Sequence, residues 1–260
     1  MSDATPLLSV CVSVDYPGKP GVLNHVRFEV ERGEVLGLVG QSGAGKSTIS
    51  LAILKLLDTK GGTATGQVLL DGRDLMPLTQ KQMREVRGKQ IGLVLQSPLS
   101  SLNPSLTVGT QLREAWRAHK NGPAPMADLL ELLKSVSLPD EEALLRNYPR
   151  QLSVGLAQRF LIALAILHRP PLLIADEPTS ALDVITQAGI LQLFTRLNQE
   201  LRMGILYISH DLLSIACLCH RIAILHQGEI VETGTTEQIF RRPGHPYTQE
   251  LIASLPRNPF

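Results

Sequence analysis

The segment Gly40–Ser47 reads GQSGAGKS and matches the phosphate-binding pattern G-x-x-x-x-G-K-[ST]. It follows the apolar run Val35–Val39 and precedes a helix-like stretch that begins at Thr48. In such a strand-loop-helix unit, glycines let backbone N–H groups turn towards a β-phosphate. Lys46 adds a mobile positive charge, and the hydroxyl of Ser47 can bind Mg²⁺. The pattern therefore predicts an α/β core with a nucleotide-phosphate site.

Apolar periodicity predicts strands and helices on both sides of this loop. After the loop, apolar residues recur at helical spacing up to Leu57, and Gly61-Gly62 is expected to end that helix. A second helix is predicted over Ile185–Leu201, and a hairpin around Gln227-Gly228. The predicted strands are Leu8–Val14, Val26–Val30, Val35–Val39, Gln67–Leu70, Ile91–Leu95, Leu172–Ala175, Ile205–Ile208 and the two arms of Ile222–Val231.

Between Val108 and about Leu145 the strand signals disappear and the pattern is helical, with an interruption at 121–125. We interpret this stretch as an inserted helical subdomain. Parallel strands joined by helices elsewhere predict an α/β sheet whose ligand lies at the carboxyl ends of the strands.

Composition and local sequence argue against several classes of function. The 25 basic and 24 acidic residues nearly cancel, so the large basic surface that nucleic acid requires is not expected. The longest apolar run, Phe160–Leu167, is much shorter than the roughly 20 residues that cross a bilayer. The N-terminus resembles no signal peptide, which predicts a cytoplasmic protein. Cys11, Cys217 and Cys219 lack zinc-site spacing and are expected to be free thiols.

A pair of carboxylates follows the apolar strand Leu172–Ala175. Asp176 can hold Mg²⁺ through water, and Glu177 can orient or polarise the water that attacks a γ-phosphate. A solvated strand end is the alternative for an isolated acidic pair. The phosphate loop upstream favours the catalytic interpretation.

Further segments follow in a recognisable order. Leu152–Leu156, LSVGL, stands where ATP-binding-cassette ATPases have the signature Leu-Ser-Gly-Gly-Gln. Gln96 stands at the glutamine switch of that family, Ser180–Asp183 at its dimer-contact loop and His210 at its switch histidine. Tyr16 stands where the family stacks an aromatic ring on adenine. Over essentially its whole length the chain resembles the ATP-binding-cassette ATPases.

This resemblance implies a P-loop NTPase (RecA-like) core with a mixed, mainly parallel sheet, an antiparallel β subdomain and an inserted helical subdomain. It implies one ATP-binding domain over 5–260, with the core at about 5–96 and 160–240, the helical subdomain at about 97–159 and a tail at about 241–260. The implied cofactors are ATP and Mg²⁺. The implied catalytic residues are Glu177, His210, Lys46 and Gln96, and the implied Mg²⁺ ligands are Ser47, Gln96 and Asp176. The implied ATP-binding residues are Tyr16, Gly40, Ser42, Gly43, Ala44, Gly45, Lys46, Ser47, Thr48, Ser153 and Gly155, the last two serving the ATP of a neighbouring subunit.

Three of these positions also have a structural interpretation. Taken alone, Tyr16 could be a strand residue beside the Pro17-Gly18 turn, and His210 could be a helix-cap partner. Gln96 could be a polar residue at the end of a strand. The signature departs from the family pattern at Val154 and Leu156. Because glycine tolerates backbone conformations that valine does not, Val154 would strain closure if its backbone had such a conformation.

Two more stretches, Gln96–Pro104 and Arg242–Pro256, resemble the ATPases of oligopeptide, dipeptide and nickel importers. That likeness implies ATP-driven uptake of peptides or nickel at the cytoplasmic face of the membrane. The implied partners are an identical or paralogous second cassette, membrane permeases and, indirectly, an external binding protein. A soluble ATPase of a non-transport complex, such as phosphonate degradation, is the alternative. We expect His245 to be structural, and no iron–sulfur cluster, because the chain ends before the cysteine-bearing extension of longer relatives.

Overall fold

The computed structural model describes residues 5–41, 43–139 and 141–255. Within these ranges, a four-stranded antiparallel sheet has the order β2-β1-β4-β5, and a six-stranded mixed sheet has the order β10-β9-β3-β8-β7-β6. The strands are β1 (Leu8–Tyr16), β2 (Lys19–Val30), β3 (Val35–Val39), β4 (Thr63–Leu70), β5 (Arg73–Asp74), β6 (Ile91–Val94), β7 (Leu172–Asp176), β8 (Gly204–Ser209), β9 (Arg221–His226) and β10 (Glu229–Thr235).

Helices connect and cover these sheets. The α-helices are α1 (Lys46–Ile53), α2 (Gln80–Val86), α3 (Pro98–Ser101), α4 (Val108–Arg117), α5 (Met126–Ser135), α6 (Glu141–Leu144), α7 (Val154–Ile166), α8 (Val184–Leu201), α9 (Leu212–Leu218), α10 (Thr236–Arg241) and α11 (Pro246–Ala253). Short 3₁₀ helices lie at Leu57–Lys60 and Pro149–Gln151. The insert between β6 and β7 is helical in its described residues, so the predicted α/β fold with a helical insert is confirmed.

The mixed sheet aligns the strand ends that carry the predicted site. Strands β9, β3, β8, β7 and β6 are parallel neighbours, and only β10 pairs antiparallel in the described part of this sheet. Val39 pairs with Ser209, and Asp176 pairs with Ile208. Parallel strands present their carboxyl ends at one edge, so the loops after β3, β6, β7 and β8 meet there.

Two apolar clusters sandwich the mixed sheet. Alternate residues of β3 face opposite sides: Val35 and Val39 join the cluster of the helical side, and Leu36 and Leu38 join the cluster under the antiparallel sheet. This alternation is the period of two expected of a strand that is buried on both faces. The sheet edge with the site therefore rests on a core that is packed on both sides.

The predicted helix after the phosphate loop is shorter than expected. Helix α1 ends at Ile53, and Lys55 has a left-handed φ of 51°. The guanidinium of Arg87 donates to the carbonyl oxygens of Leu54 (2.9 Å) and Lys55 (3.1 Å). These tertiary bonds satisfy carbonyls that a continuing helix would have used, so the chain leaves the helix before Gly61.

Strand lengths also differ from the prediction. Strands β2 and β4 begin earlier, at Lys19 and Thr63, because β1 pairs with both as far as Tyr16 and Asp15. Strand β6 ends one residue early, and Leu95 is exposed.

The predicted subdomain boundaries stay a prediction. Helix α7 runs without interruption across the proposed boundary at 159/160. The part of the tail from residue 256 onward lies outside the described residues. Among the helices that the structure describes, none is both long and apolar enough to cross a membrane.

Candidate functional site

A cleft of about 770 Å³ opens at the carboxyl edge of the mixed sheet. It contains most of the residues that the sequence predicted to bind nucleotide or act in catalysis. The predicted residues that line it are Tyr16, Gly40, Gly43, Gly45, Lys46, Ser47, Thr48, Gln96, Glu177 and His210. The structure thus brings together side chains that are up to 194 positions apart in the sequence, from Tyr16 to His210.

Glycines shape the phosphate loop for steric reasons. Gly45 has a φ of 104°, and a Cβ atom there would lie 2.6 Å from Leu23 Cδ2. A Cβ atom on Gly40 would lie 2.5 Å from the carbonyl oxygen of Leu225 on β9. Any larger residue at these two positions would displace the loop from the sheet. The close approach at Gly40 keeps the loop against β9.

Lys46 is the buried cation of the cleft and is only 5% exposed. Its Nζ donates to the carbonyl oxygens of Gly40 (2.8 Å) and Gln41 (3.1 Å) and lies 3.6 Å from Glu177 Oε1. A buried ammonium group needs partners to offset lost hydration. Phosphate oxygens can replace these three oxygen partners, so the position of Lys46 suits an anionic ligand.

Glu177 is the centre of the polar network. His210 Nδ1 lies 2.9 Å from Glu177 Oε2, and Gln96 Nε2 donates to the same oxygen at 3.4 Å. Glu177 follows β7 with a left-handed φ of 48°. Such a backbone is unfavourable for a residue with a Cβ atom and is concentrated at functional sites. The turn directs the carboxylate into the cleft, away from a continuation of the strand.

Asp176 lies beneath the cleft at the end of β7 and is 7% exposed. Its Oδ1 atom is buried and has no hydrogen-bond partner among the described residues. Burial raises the pKa of Asp176; the charge of Glu177 adds to this, and a hydrogen bond with Ser47 and the charge of Lys46 oppose it. An unpaired oxygen beside the Ser47 hydroxyl offers the hard oxygen ligands that Mg²⁺ prefers.

Three more residues of the predicted ATP site have different placements relative to the cleft. Tyr16 ends β1 opposite Lys19 and also lines the cleft, so it is a strand residue and a cleft residue at once. Ala44 does not line the cleft; its N–H donates to the carbonyl of Gln41 (3.1 Å), and its methyl group packs on the core. Ser42 lies outside the described residues.

Comparisons with known proteins decide the family. Residues 23–180 match the ABC transporter family, and residues 231–259 match the oligopeptide/dipeptide transporter C-terminal region. The chain belongs to the ABC transporter family. The resemblance to ATP-binding-cassette ATPases of the peptide-importer type is therefore confirmed.

Relatives of this ABC chain are transport ATP-binding proteins. It is 46% identical to the dipeptide transport ATP-binding protein DppD of Haemophilus influenzae, over 90% of this chain and 72% of the relative. It is 43% identical to the oligopeptide transport ATP-binding protein OppD of Bacillus subtilis, over 93% and 68% respectively. It is also 43% identical to the glutathione import ATP-binding protein GsiA of Escherichia coli (strain K12), over 92% of this chain and 40% of that relative. The chain thus spans less than half the length of GsiA.

Solved ABC structures share the fold. The cassette MJ0796 in a dimeric post-hydrolysis state with bound ADP and Pi superposes with a TM-score of 0.75 at 27% identity, over 88% of this chain and 98% of that one. An ATP-binding subunit of an ABC transporter gives 0.74 at 29% identity, over 95% and 98% respectively. The predicted ABC ATPase fold is confirmed.

The signature of this ABC chain lies away from its own cleft. Ser153 caps α7 by accepting the N–H of Leu156 (3.3 Å), and neither Ser153 nor Gly155 lines the cleft. Val154 is the first residue of α7, and its φ is not positive. Val154 therefore has ordinary helical backbone, and the strain expected of valine in a glycine-only conformation does not arise.

Sequence reasoning missed several residues that line the ABC cleft. Lys19 and Lys60 add positive charge, and Val22 and Leu251 add apolar surface. The turn beside Tyr16 could have pointed to Lys19. No local signal pointed to Leu251, because α11 reaches the cleft only through tertiary packing. His245 is structural, as expected: its Nδ1 accepts the N–H of Tyr247 (3.2 Å) and caps α11.

Proposed function

We propose that this chain binds and hydrolyses ATP in the described cleft and that this hydrolysis drives import of short peptides through partner membrane permeases. The observation that carries the proposal is Glu177, held by His210 at 2.9 Å beside Lys46 and the phosphate loop. The transport names of the relatives supply the substrate class. They speak of dipeptides, oligopeptides and the tripeptide glutathione, which favours peptides over nickel as the cargo.

Phosphate binding follows from the geometry of the loop. Backbone N–H groups of Gly45–Thr48 at the start of α1 present partial positive charge to an anion. Lys46 exchanges the oxygens of Gly40, Gln41 and Glu177 for phosphate oxygens when the nucleotide enters. Tyr16 offers its ring to the base, where stacking contributes about 1–3 kcal/mol by analogy with other base–aromatic contacts.

Mg²⁺ fits the residues beneath the cleft. Ser47, Gln96 and Asp176 would hold it, with the buried, unpaired Oδ1 of Asp176 as the clearest free ligand atom. When bound, the ion supplies positive charge that offsets the charge of the triphosphate.

Glu177 is the residue placed to orient the attacking water. Phosphoryl transfer depends mainly on positioning and electrostatic stabilisation, and a positioned base contributes about 10²–10⁴-fold to the rate. His210 and Gln96 both contact Glu177 Oε2, so they fix one carboxylate oxygen and leave Oε1 towards Lys46. When Lys46 exchanges Glu177 Oε1 for a phosphate oxygen, the position of the Glu177 carboxylate therefore changes as well.

A second cassette completes the site in this proposal. Ser153 and Gly155 are assigned to the ATP of the neighbour, and exposed apolar side chains lie beside them: Val154, Val184 (81% exposed) and Ile185 (86% exposed). A Cβ atom on Gly155 would lie 2.7 Å from Thr186 Cγ2, so the start of α7 packs against the start of α8. An exposed apolar patch of this kind marks a protein–protein contact. The MJ0796 cassette, a structural relative, is described as dimeric, which supports a pairing of cassettes here.

A permease segment fits an apolar groove next to Gln96. The groove has a volume of about 310 Å³ and is lined mainly by leucines, which come from the segment after α1, the end of β6 and helix α7. Leu95 and Leu99, on either side of Gln96, are both exposed by more than 40%. A partner bound in this groove would respond to movements of Gln96, which contacts the carboxylate of Glu177. We place the chain, through this partner, at the cytoplasmic face of the membrane.

Reconstitution in vesicles tests the proposal. Purified chain with its permeases should hydrolyse ATP and accumulate a labelled dipeptide, and Glu177→Gln should bind ATP but hydrolyse it at least about 10²-fold more slowly. Lys46→Ala should lose ATP affinity. Purification with a soluble complex and without multi-span proteins would instead favour the non-transport alternative, and normal turnover by Glu177→Gln would remove Glu177 from its role.

A further inference from the structure

The C-terminal tail returns to the nucleotide cleft. After β10 the chain forms α10 and then α11, and Leu251 on α11 lines the same cleft as Tyr16, Lys46 and Glu177. Among the described residues that line the cleft, Leu251 is the only one beyond His210. The residues assigned to nucleotide binding by resemblance to the family do not include this segment. A wall of the cleft therefore comes from a part of the chain that has no assigned role in the site.

Specific contacts hold the tail in this place. The carboxylate of Glu232 on β10 accepts the N–H groups of Gly244 (2.7 Å) and His245 (3.0 Å), and His245 caps α11. The ring of Tyr247 stacks on His226 at the end of β9, with centroids 3.8 Å apart and planes 24° apart. Charged-group hydrogen bonds and ring stacking fix the start of α11 on the edge of the mixed sheet.

The carbonyl oxygen of Leu225, next to His226, lies 2.5 Å from where a Cβ atom on Gly40 would be. Tyr247 stacks on this His226 and therefore lies near the phosphate loop. Its side chain is 7% exposed, and its hydroxyl oxygen is buried without a hydrogen bond of normal geometry among the described residues. Burial raises the pKa of Tyr247, an effect that the backbone N–H of Gln41 partly offsets. This N–H belongs to the same peptide group as the Gly40 carbonyl, which accepts from Lys46 Nζ at 2.8 Å. Lys46 and Tyr247 thus face opposite ends of one peptide group in the loop.

We propose that α11 is a working part of the nucleotide site, with two separable roles. Tyr247 is a positioning residue: its buried hydroxyl, unpartnered among the described residues of the ligand-free chain, accepts the Gln41 N–H once Lys46 turns from the Gly40 carbonyl to a phosphate. Leu251 contacts the nucleoside of the bound nucleotide, on the apolar part of the cleft with Tyr16 and Val22. This inference rests on the proposed binding of ATP in the cleft.

Two ligands separate the two roles. Inorganic tripolyphosphate has the phosphate chain of ATP without the nucleoside. Leu251→Ala should raise the Kd for ATP about 3–10-fold and leave the Kd for tripolyphosphate within about twofold, because only the apolar contact is lost. Tyr247→Phe should raise both Kd values by a similar factor, because the hydrogen bond that forms to the Gln41 N–H on phosphate binding is lost. The measurement is equilibrium dialysis on the full chain with Mg²⁺ present.

Matched controls exclude a general effect of the tail. Leu255→Ala makes the same change four residues later, at a residue that does not line the cleft, and should leave both Kd values unchanged. Thermal unfolding of every variant without ligand shows that each is folded. Equal effects of Leu251→Ala and Leu255→Ala, or an unchanged Kd for ATP in Leu251→Ala and Tyr247→Phe, would overturn the inference while the proposed function stands. If the wild-type chain binds no ATP, both fail together.

Discussion

At the level of single residues, Asp176 and Glu177 show how two adjacent carboxylates acquire different environments. Asp176 is buried beneath the cleft with an unpaired oxygen, whereas Glu177 turns into the cleft and is bonded by His210 and Gln96. The proposed phosphoryl transfer uses both environments: Asp176 would hold a cation, and Glu177 would orient water. The left-handed backbone of Glu177 is the local feature that separates them.

The nucleotide-free protein should be destabilised by the charge of Asp176. Burial raises its folded-state pKa above 3.8, so the folded chain holds the proton more tightly than the unfolded chain. The free energy of unfolding therefore falls as pH rises from 3.8 through the folded pKa. Asp176→Asn should stabilise the ligand-free chain at pH 7–8 by roughly 1–2 kcal/mol, and the gain should shrink towards pH 4. Calorimetry between pH 4 and pH 8 measures this.

Asp183→Asn is a control for which the opposite change in stability is expected, because the pKa of Asp183 is lowered where that of Asp176 is raised. Hydrogen bonds from the side chain and backbone of Thr186 hold the pKa of the Asp183 carboxylate below 3.8. Its stabilising contribution is present above pH 3.8 and is lost as pH falls through the folded pKa. Asp183→Asn should thus lower the unfolding temperature at neutral pH. A stabilisation by Asp183→Asn, or a destabilisation by Asp176→Asn at pH 7, would contradict the assigned environments.

At the level of elements, Arg87 determines where α1 ends. It binds the carbonyls of Leu54 and Lys55 and the amide oxygen of Gln80 at 2.8 Å, so it joins α1 to α2. Arg87→Met keeps much of the aliphatic stem but removes the donor to the Leu54 carbonyl; the Lys55 carbonyl keeps only its bond from Gln80 Nε2 (3.1 Å). The expected loss is about 1–3 kcal/mol in the free energy of unfolding, measured by urea denaturation.

Arg84 provides a control for the effect of Arg87→Met on stability. It lies on the exposed side of α2, and its charge lowers the pKa of Arg87 after the larger effect of burial. Arg84→Met should change stability by less than about 0.5 kcal/mol. Equal losses for Arg84→Met and Arg87→Met would show that the carbonyl contacts do not define the end of α1.

At the level of the whole molecule, the signature and the phosphate loop of one chain occupy different surfaces. In the proposed dimer, the phosphate loop of each subunit faces the signature of the other, so two ATP sites form between the subunits. Ile185, 86% exposed beside the signature helix, lies on the surface that this dimer would cover.

Dimerisation should depend on Ile185. In the Glu177→Gln background with ATP and Mg²⁺, Ile185→Glu should weaken the dimer at least about tenfold, because a charge would enter an apolar contact. Light scattering after size exclusion gives the monomer fraction. Leu201→Glu changes an exposed leucine at the far end of α8, about 24 Å away at 1.5 Å per residue, and should leave the dimer intact. Undiminished dimerisation of Ile185→Glu would remove this surface from the interface.

Local patterns determined much of the fold and the site. The extent of β3, the insert between β6 and β7 and the placement of Lys46 and Glu177 in one cleft were all predictable, because each depends on a short motif or on apolar periodicity. The shorter α1 was not predictable, because Arg87 binds its last carbonyls from more than thirty positions away. The conformation at Val154 likewise required coordinates, since the sequence alone allowed both strained and helical backbones.

By itself, the sequence determined that a phosphate loop, a base and a switch histidine occur at family-like spacing in an α/β chain. Only the tertiary structure decided that His210 and Gln96 bind the same oxygen of Glu177 and that α11 lines the same cleft as the phosphate loop. The physical reason is that motif chemistry is local, whereas parallel-sheet pairing and the Glu232 and His226 contacts of the tail join segments distant in sequence. Which side chains face a ligand is thus set by that long-range packing.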